Sequence, residues 1–477
     1  MSRRFTAADL LLLLLVMAAA AGARSWYLTV CADGGQQEGP LRVQDRPPVL
    51  AGLPAETEMN GHKPPTELDA LVENVKEHSW FGSLAPLSDA EEQTAHVAPG
   101  YYWLLALLDK APARLGPPER AMRWIQCGLG TLTAAFYFLF ALRAFGSRAA
   151  ALLAGLFSAL HPFWIINTAE INDGVVTSFL LAGCLCLGAR GAQAGAPLAS
   201  LLYGAGLAGL SLVRAALLPF AIVGVLWFLL RCRSSPRGWL CAVLAFLGFA
   251  TGLAPWTFRN YKAYHDIVPL ADSAYLHLWV GNNSRATGGP QSEQVLLETV
   301  AEARGEDKQK AREELASLPQ KERYDQLGRL VWQQVRSDPA GTFKHRLEAC
   351  LCFVFGEAWF KERVLWQAND ANAAAVPNWF QGSYPAALYG SLLGMLALGL
   401  LGWRWSYGWR ADSMPASLAM IWVPLPYMLS HAENLNGPRL PLDGVLLTYA
   451  AFALVCLILP GRRSLFHGGG SREGTSV

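Results

Sequence analysis

The sequence predicts an all-α polytopic membrane protein. Its bundle is of about ten transmembrane helices, with re-entrant or interfacial helices and two long extracytoplasmic loops. Three observations predict it. Of 477 residues, 52% are hydrophobic and only 16% are charged, where a soluble globule carries roughly 25% charge. Mean hydropathy is +0.23. Long apolar runs recur along the chain, and the basic residues between them fall on alternate sides.

The first run, Leu10 to Gly22, follows Ser2, Arg3 and Arg4. It resumes through Trp26 to Val30, long enough to span, and reads as an uncleaved helix. A signal peptide ending at Ala21, Gly22 and Ala23 is the open alternative. Further spans are expected at about 122–143, 148–168, 174–189, 197–213, 215–231, 238–257, 386–404, 414–431 and 438–459. If these alternate, Arg3/Arg4, Arg143/Arg148, Arg190, Arg231/Arg233/Arg237, Arg404/Arg410 and Arg462/Arg463 share one side. That side is the cytoplasm. Val97 to Leu108 and Leu347 to Phe360 fall short of the roughly 20 residues a span requires and are expected to be re-entrant or interfacial.

This divides the chain into a first helix (1–30), an external loop (31–121), a bundle (122–257), an external segment (258–385), C-terminal helices (386–460) and a cytoplasmic tail (461–477). In the first loop, Pro-rich sequence precedes an expected amphipathic helix from Glu67 to His78, with Leu68, Leu71, Val72 and Val75 on one face. Residues 297–336, rich in Glu, Lys, Arg and Gln, read as a solvated helix pair. The net charge of +2 is too small to suggest nucleic acid, and the nine cysteines lie mostly in apolar runs, without the spacing of a disulfide framework or a zinc site.

Chemistry-bearing residues gather at the outer helix ends. Glu170 and Asp173 lie where one helix exits and the next begins, and partial burial would lift such a carboxylate towards a general base. Arg214 sits in apolar sequence between Val213 and Ala215. Such a guanidinium either snorkels at the interface or grips a phosphate bidentately. Arg259 and Arg439 are expected at the same level, and three cations beside the headgroups suit a lipid phosphate. The aromatic run from Tyr101 to Trp103 suits an interface belt, and Asn282, Asn283 and Ser284 open a Gly-rich loop that also fits a glycosylation sequon.

The order of these motifs resembles the GT-C glycosyltransferases. The matching positions are His96, Pro99, Gly100 and Tyr101; the Leu142 to Gly146 turn; Glu170 with Asp173; Leu212 to Arg214; Pro255 and Trp256 with Arg259 and Asn260; Trp279 to Asn282; and Glu433 with Arg439 to Pro441. The likeness is greatest to the family 39 group that includes protein O-mannosyltransferases and lipid A aminoarabinose transferases, and it runs from the first helix to about residue 460. It implies a GT-C-like bundle and an inverting enzyme of the cell envelope that uses a polyprenyl-phosphate-linked sugar in the bilayer and an extracytoplasmic acceptor. A bacterial inner (plasma) membrane is the expected location. Without an Asp-x-Asp motif, no metal or other cofactor is expected.

On this resemblance, Asp69, Glu170 and Asp173 are candidate catalytic carboxylates, and Arg214, Arg259 and Arg439 are candidate donor-phosphate contacts. His96, Tyr101, Asn282 and Glu433 are candidate substrate contacts. Two departures stand out. Pro64 occupies about the place of the family's usual Asp, and Glu433 is separated from Arg439 where the family keeps acid and cation close. A transporter or flippase of lipid-linked saccharides, and a non-catalytic relative, are the alternatives. Nearly charge-free spans with ionisable groups at their outer ends favour surface chemistry over transport.

Overall fold

The computed structural model describes residues 5–32, 95, 97–109, 118–291, 293–355, 378–406, 410–432 and 438–459. Asp69, His96, Glu433 and the helix expected at Glu67 to His78 lie outside the described residues. Among those described, the regular structure is helical throughout.

The helices are α1 (Ala7–Trp26, continued by a π-helical segment Tyr27–Ala32), α2 (Gly100–Asp109), α3 (Pro118–Phe145), α4 (Arg148–Leu160), α5 (Pro162–Asn167) and α6 (Gly174–Ala194). Then come α7 (Pro197–Val213), α8 (Leu218–Cys232) and α9 (Pro236–Tyr264). Outside the bundle lie α10 (Ala274–Asn282), α11 (Glu293–Arg304), α12 (Lys308–Ser317), α13 (Gln320–Ser337) and α14 (Pro339–Phe355). The chain returns through α15 (Asn378–Trp405), α16 (Arg410–Trp422), α17 (Leu425–Leu429) and α18 (Leu440–Ile458).

Among the described residues, six stretches are long and apolar enough to cross a membrane: Ala7–Val30, Arg120–Phe145, Gly174–Ala192, Ala215–Cys232, Pro236–Tyr264 and Leu440–Ile458. The helices α4 and α7 are apolar but shorter. Proline explains where two expected spans are interrupted, because it lacks an N–H and restricts the residue before it. Pro162 ends α4 at Leu160, leaving His161 extended (φ −64°, ψ 119°) and starting α5 afresh. The break between α16 and α17 falls beside Pro424.

The central helix is α18, with 83% of its apolar window buried against α15, α4 and α6. Along the bundle, α7 and α9 meet backbone to backbone. A Cβ on Gly204 would fall 1.8 Å from the Ala245 carbonyl oxygen, and one on Gly248 would fall 2.4 Å from that of Leu201. Small residues are what allow apolar helices to pack this closely in lipid.

The external segment differs from its expectation. Residues 293–337 form three helices, not a solvated pair, and they have a core of their own. Tyr324, Leu327, Leu330 and Val331 of α13 recur at helical spacing and bury against Leu276, Trp279 and Val280 of α10. Charges on the remaining faces hid this apolar stripe. The helices α10 and α14 tie the unit to the bundle through α17. We call the bundle end that carries it the distal end.

Gly204→Ala is expected to destabilise the protein by roughly 1–3 kcal/mol, since backbone must move to admit the methyl group. Gly209→Ala on the same helix, whose nearest neighbour atom would lie 4.0 Å away, is the control and is expected to leave the unfolding temperature unchanged or raised. Thermal unfolding in detergent measures both.

Candidate functional site

Between α5 and α6 the chain turns through Thr168 to Asp173, exposing carbonyls that no helix satisfies. Two side chains of α3 take them up. Gln126 Nε2 donates to Thr168 O (3.0 Å) and Glu170 O (2.8 Å), and Arg123 Nε donates to Ala169 O (3.0 Å). The turn is thereby held against α3, which places the Glu170 side chain in a largely desolvated position. Burial raises the pKa of its carboxyl above the usual carboxylate range, and the nearby Arg123 charge partly opposes this.

Asp173 is the N-cap residue of α6, yet its side chain makes no capping bond. It reaches across to Arg214, which ends α7 in an extended conformation (φ −141°, ψ 102°). Arg214 Nε donates to Asp173 Oδ2 at 2.7 Å and Nη2 donates to Oδ1. The pair is bidentate, the strongest form of such contact. Tyr101 of α2 lies beside it. This residue is only 5% exposed, in an apolar cluster with Met122 and Val176 that Ile171 and Val213 border. Its hydroxyl has no hydrogen-bond partner among the described residues. Burial, and then the Asp173 charge, push the phenol well above its ordinary pKa. A buried, unused hydroxyl next to a charged pair can donate to a bound group.

Arg259, near the distal end of α9, is buried over the Trp256 ring at 4.9 Å and donates through Nη1 to Asn260 Oδ1 at 3.0 Å. Asn260 and Trp256 fold the following loop back onto the helix. Asn260 Nδ2 donates to Val268 O and Leu270 O, and Trp256 Nε1 donates to Leu270 O. Tyr264 Oη accepts from Ala95 N at 2.6 Å and donates to Asp272 Oδ2 at 3.0 Å. The chain just before His96 is stitched to this loop.

Arg439, the third candidate phosphate contact, is the N-cap residue of α18. It is 1% exposed and locked to the fully buried Asp443, with Nε donating to Oδ1 at 2.8 Å. Nη1 donates to Val354 O, and the guanidinium lies over the Phe163 ring at 5.2 Å. His161 Nε2 meets the other Asp443 oxygen at 3.1 Å. Sequence reasoning missed Asp443, although an acid four residues after Arg439 in one helix was a usable signal. Asn282 is likewise buried, and its Nδ2 donates to Leu278 O (2.6 Å) and Leu429 O (3.2 Å). That amide joins α10 to α17.

Of the predicted residues, the structure brings together Tyr101, Asp173 and Arg214, with Glu170 in the same turn. Trp103 packs edge-on against Trp256 at 5.7 Å, so α2 lies between this cluster and Arg259. Among the described residues, no three His, Cys, Asp or Glu side chains converge as a metal site would require.

Residues 96–256, about a third of the chain, match the family model described as dolichyl-phosphate-mannose-protein mannosyltransferase. No curated protein sequence matches. Among solved structures, the chain is similar to the archaeal oligosaccharyltransferase AglB from Archaeoglobus fulgidus in complex with an inhibitory peptide and a dolichol-phosphate. That likeness is at 14% identity and TM-score 0.48, covering 97% of this chain and 52% of that one. The apo form of the Archaeoglobus fulgidus oligosaccharyltransferase gives 14% identity and TM-score 0.47, over 97% of this chain and 53% of that one. Its complex with Zn and sulfate gives 13% and 0.46, over 95% and 50%. The chain spans about half the length of these structures. The matched region holds Tyr101, Glu170, Asp173 and Arg214, and over it the chain is similar to that mannosyltransferase family.

Proposed function

We propose that the protein transfers a sugar from a polyprenyl-phosphate-linked donor to an extracytoplasmic acceptor, with inversion and without a metal ion. The observation that carries this reading is the bidentate Arg214–Asp173 pair beside the unpartnered Tyr101 hydroxyl, inside the region that matches a family using a dolichyl-phosphate sugar. The absence of an Asp-x-Asp motif in the sequence supports the metal-free form. The plasma membrane of a bacterium, with the distal end outside, is the proposed setting.

In the reaction, an acceptor oxygen attacks the anomeric carbon from the face opposite the lipid phosphate. The bond between that carbon and the phosphate oxygen breaks, and its electron pair stays on the phosphate. The acceptor's proton passes to a carboxylate. Glu170 suits that role because burial has already lifted its proton affinity, and Asp69 on the first external loop is the other candidate. Asp173 acts by orienting Arg214, whose charge and that of Arg259 stabilise the departing phosphate. Tyr101 donates to a phosphate or sugar oxygen, and His96 and Glu433 contact substrate. Arg439, neutralised by Asp443, contributes by holding α18 and α14 in place beneath the donor; Asn282 does the same for α10 and α17.

Glu170→Gln is expected to lower transfer on the order of 100-fold while a polyprenyl phosphate still co-purifies, as native mass spectrometry would read. An unchanged rate would move the base to Asp69. In wild type the acidic limb of the pH–rate profile is expected above the ordinary carboxylate range, because Glu170 must lose its proton to act and burial raises its pKa. That limb should vanish in the Gln variant.

Arg214→Lys is expected to weaken donor binding roughly tenfold, since an ammonium cannot reproduce the two-pronged contact with Asp173. Donor titration against Arg439→Gln makes the comparison. The latter variant should lower the unfolding temperature more than it changes donor affinity per folded molecule, and the opposite pattern would reverse the two roles.

A further inference from the structure

A second basic cluster at the distal end takes no part in the chemistry above. It starts with Gly281, near the end of α10, where a Cβ would fall 1.8 Å from the Ser430 carbonyl oxygen. Only glycine permits that approach, and it sets the chain around 430 in register with α10. His277, one turn earlier, then faces His431. Their Nδ1 and Nε2 atoms are 3.1 Å apart, with ring centroids 5.3 Å apart and planes inclined by 33°.

Arg346 of α14 closes the cluster. Its Nη1 donates to Met428 O (3.0 Å) and Ser430 O (2.9 Å), and Nη2 donates to Gly281 O. These carbonyls lie where α17 and α10 end, so part of the role of Arg346 is to clamp two helix ends.

The clamp leaves two polar atoms unaccounted for. Arg346 Nε and His431 Nδ1 are buried and have no hydrogen-bond partner among the described residues. A single hydrogen bond between the imidazoles leaves that Nδ1 over in either tautomer. Among the described residues, none of the three side chains is paired with a carboxylate. Glu348, two residues along α14, is engaged by His345 at 3.2 Å and lies 3.7 Å from Lys344. The contrast with the rest of this end is direct, because Arg214 has Asp173 and Arg439 has Asp443. Burial without a counter-charge pulls the Arg346 guanidinium down to about 10 and the His277 imidazole down to about 4.

We propose that His277, His431 and Arg346 form a binding site for the oxyanion of a phosphate group. One permanent cation and a hydrogen-bonded imidazole pair that can take up one proton when an anion binds match a phosphate dianion better than a singly charged carboxylate. The orphaned Arg346 Nε and His431 Nδ1 supply donors that such an anion satisfies. The phosphate comes either from a lipid headgroup or from free phosphate. For the lipid source, the proposal rests on the polyprenyl-phosphate reading above.

The test uses the full-length protein in nanodiscs with ¹³C,¹⁵N-labelled histidine. It is titrated in one arm with inorganic phosphate and in the other with polyprenyl phosphate built into the disc. The expected result is a saturable shift of the His277 and His431 imidazole resonances, with the hydrogen-bonded pair taking up one proton at higher pH than before. A response in the lipid arm alone assigns a lipid headgroup, and a response to inorganic phosphate assigns a site open to free phosphate. Arg346→Gln and His431→Gln are each expected to weaken binding roughly tenfold or more.

His431→Gln leaves the helix clamp intact and serves if the Arg346 variant fails to fold. No saturable shift in either arm of folded wild type, or undiminished binding in His431→Gln, overturns the proposal. Sugar transfer measured on the same samples separates the two readings. A wild type that transfers sugar without an imidazole response loses this site and keeps the transferase reading. An imidazole response to inorganic phosphate in a protein that transfers nothing keeps the site and removes the lipid source.

Discussion

A charge taken out of water must be matched, and the distal end of this protein is organised by how each buried arginine meets that demand. Arg24 of α1 donates to Ser158 O and Ala159 O, the carbonyls left open when Pro162 ends α4. Arg439 is matched by Asp443, which also meets His161 in the same break. Arg214 is matched by Asp173 at the start of α6. Arg346 is held by the open ends of α10 and α17. Interrupted helices and buried cations therefore solve each other's problem. Each break exposes backbone oxygens, or a carboxylate at the next helix start, to which a guanidinium can bind.

The same solution makes chemistry possible there. An uninterrupted bundle would offer lipid and solvent only smooth apolar walls and satisfied helix ends. Here the breaks at His161–Pro162, at Arg214 and around Ser430 gather carboxylates, arginines, histidines and a tyrosine at one end. The arginines differ in what remains for a ligand. Arg439 is enclosed and spent, and Arg214 is fixed by its acid with its charge retained. Arg346 keeps an unused donor. Since Arg346 and Val354 are eight residues apart on α14, and Val354 O accepts from Arg439, the two cations are separated by roughly 12 Å along that helix. A single rigid element thus spaces a structural cation from a ligand-ready one.

Much of this was legible in the sequence. Apolar runs and alternating basic residues predict the helices of the bundle, because burying backbone polar groups in lipid leaves few other solutions. The Glu170 to Asp173 turn and Arg214 were found as candidates from polar residues at the ends of apolar runs. Their bidentate pairing was not, as they are forty-one residues apart and meet only when α6 and α7 pack. The external helices were misread for a related reason. The apolar stripe of α13 is diluted by the charges on its other faces, and its partner, Trp279, lies on another element.

By itself, then, the sequence determined the helical class and the apolar runs from which the bundle is built. Composition, hydrophobic run length and proline position act locally, and each leaves its mark in a short window. The tertiary structure alone decided which charges are spent. Arg214, Arg259, Arg346 and Arg439 look alike along the chain, and they differ only through the acid, ring or carbonyl that packing brings to each. Electrostatic pairing depends on distance in space and on burial, and neither can be read from separation along the chain.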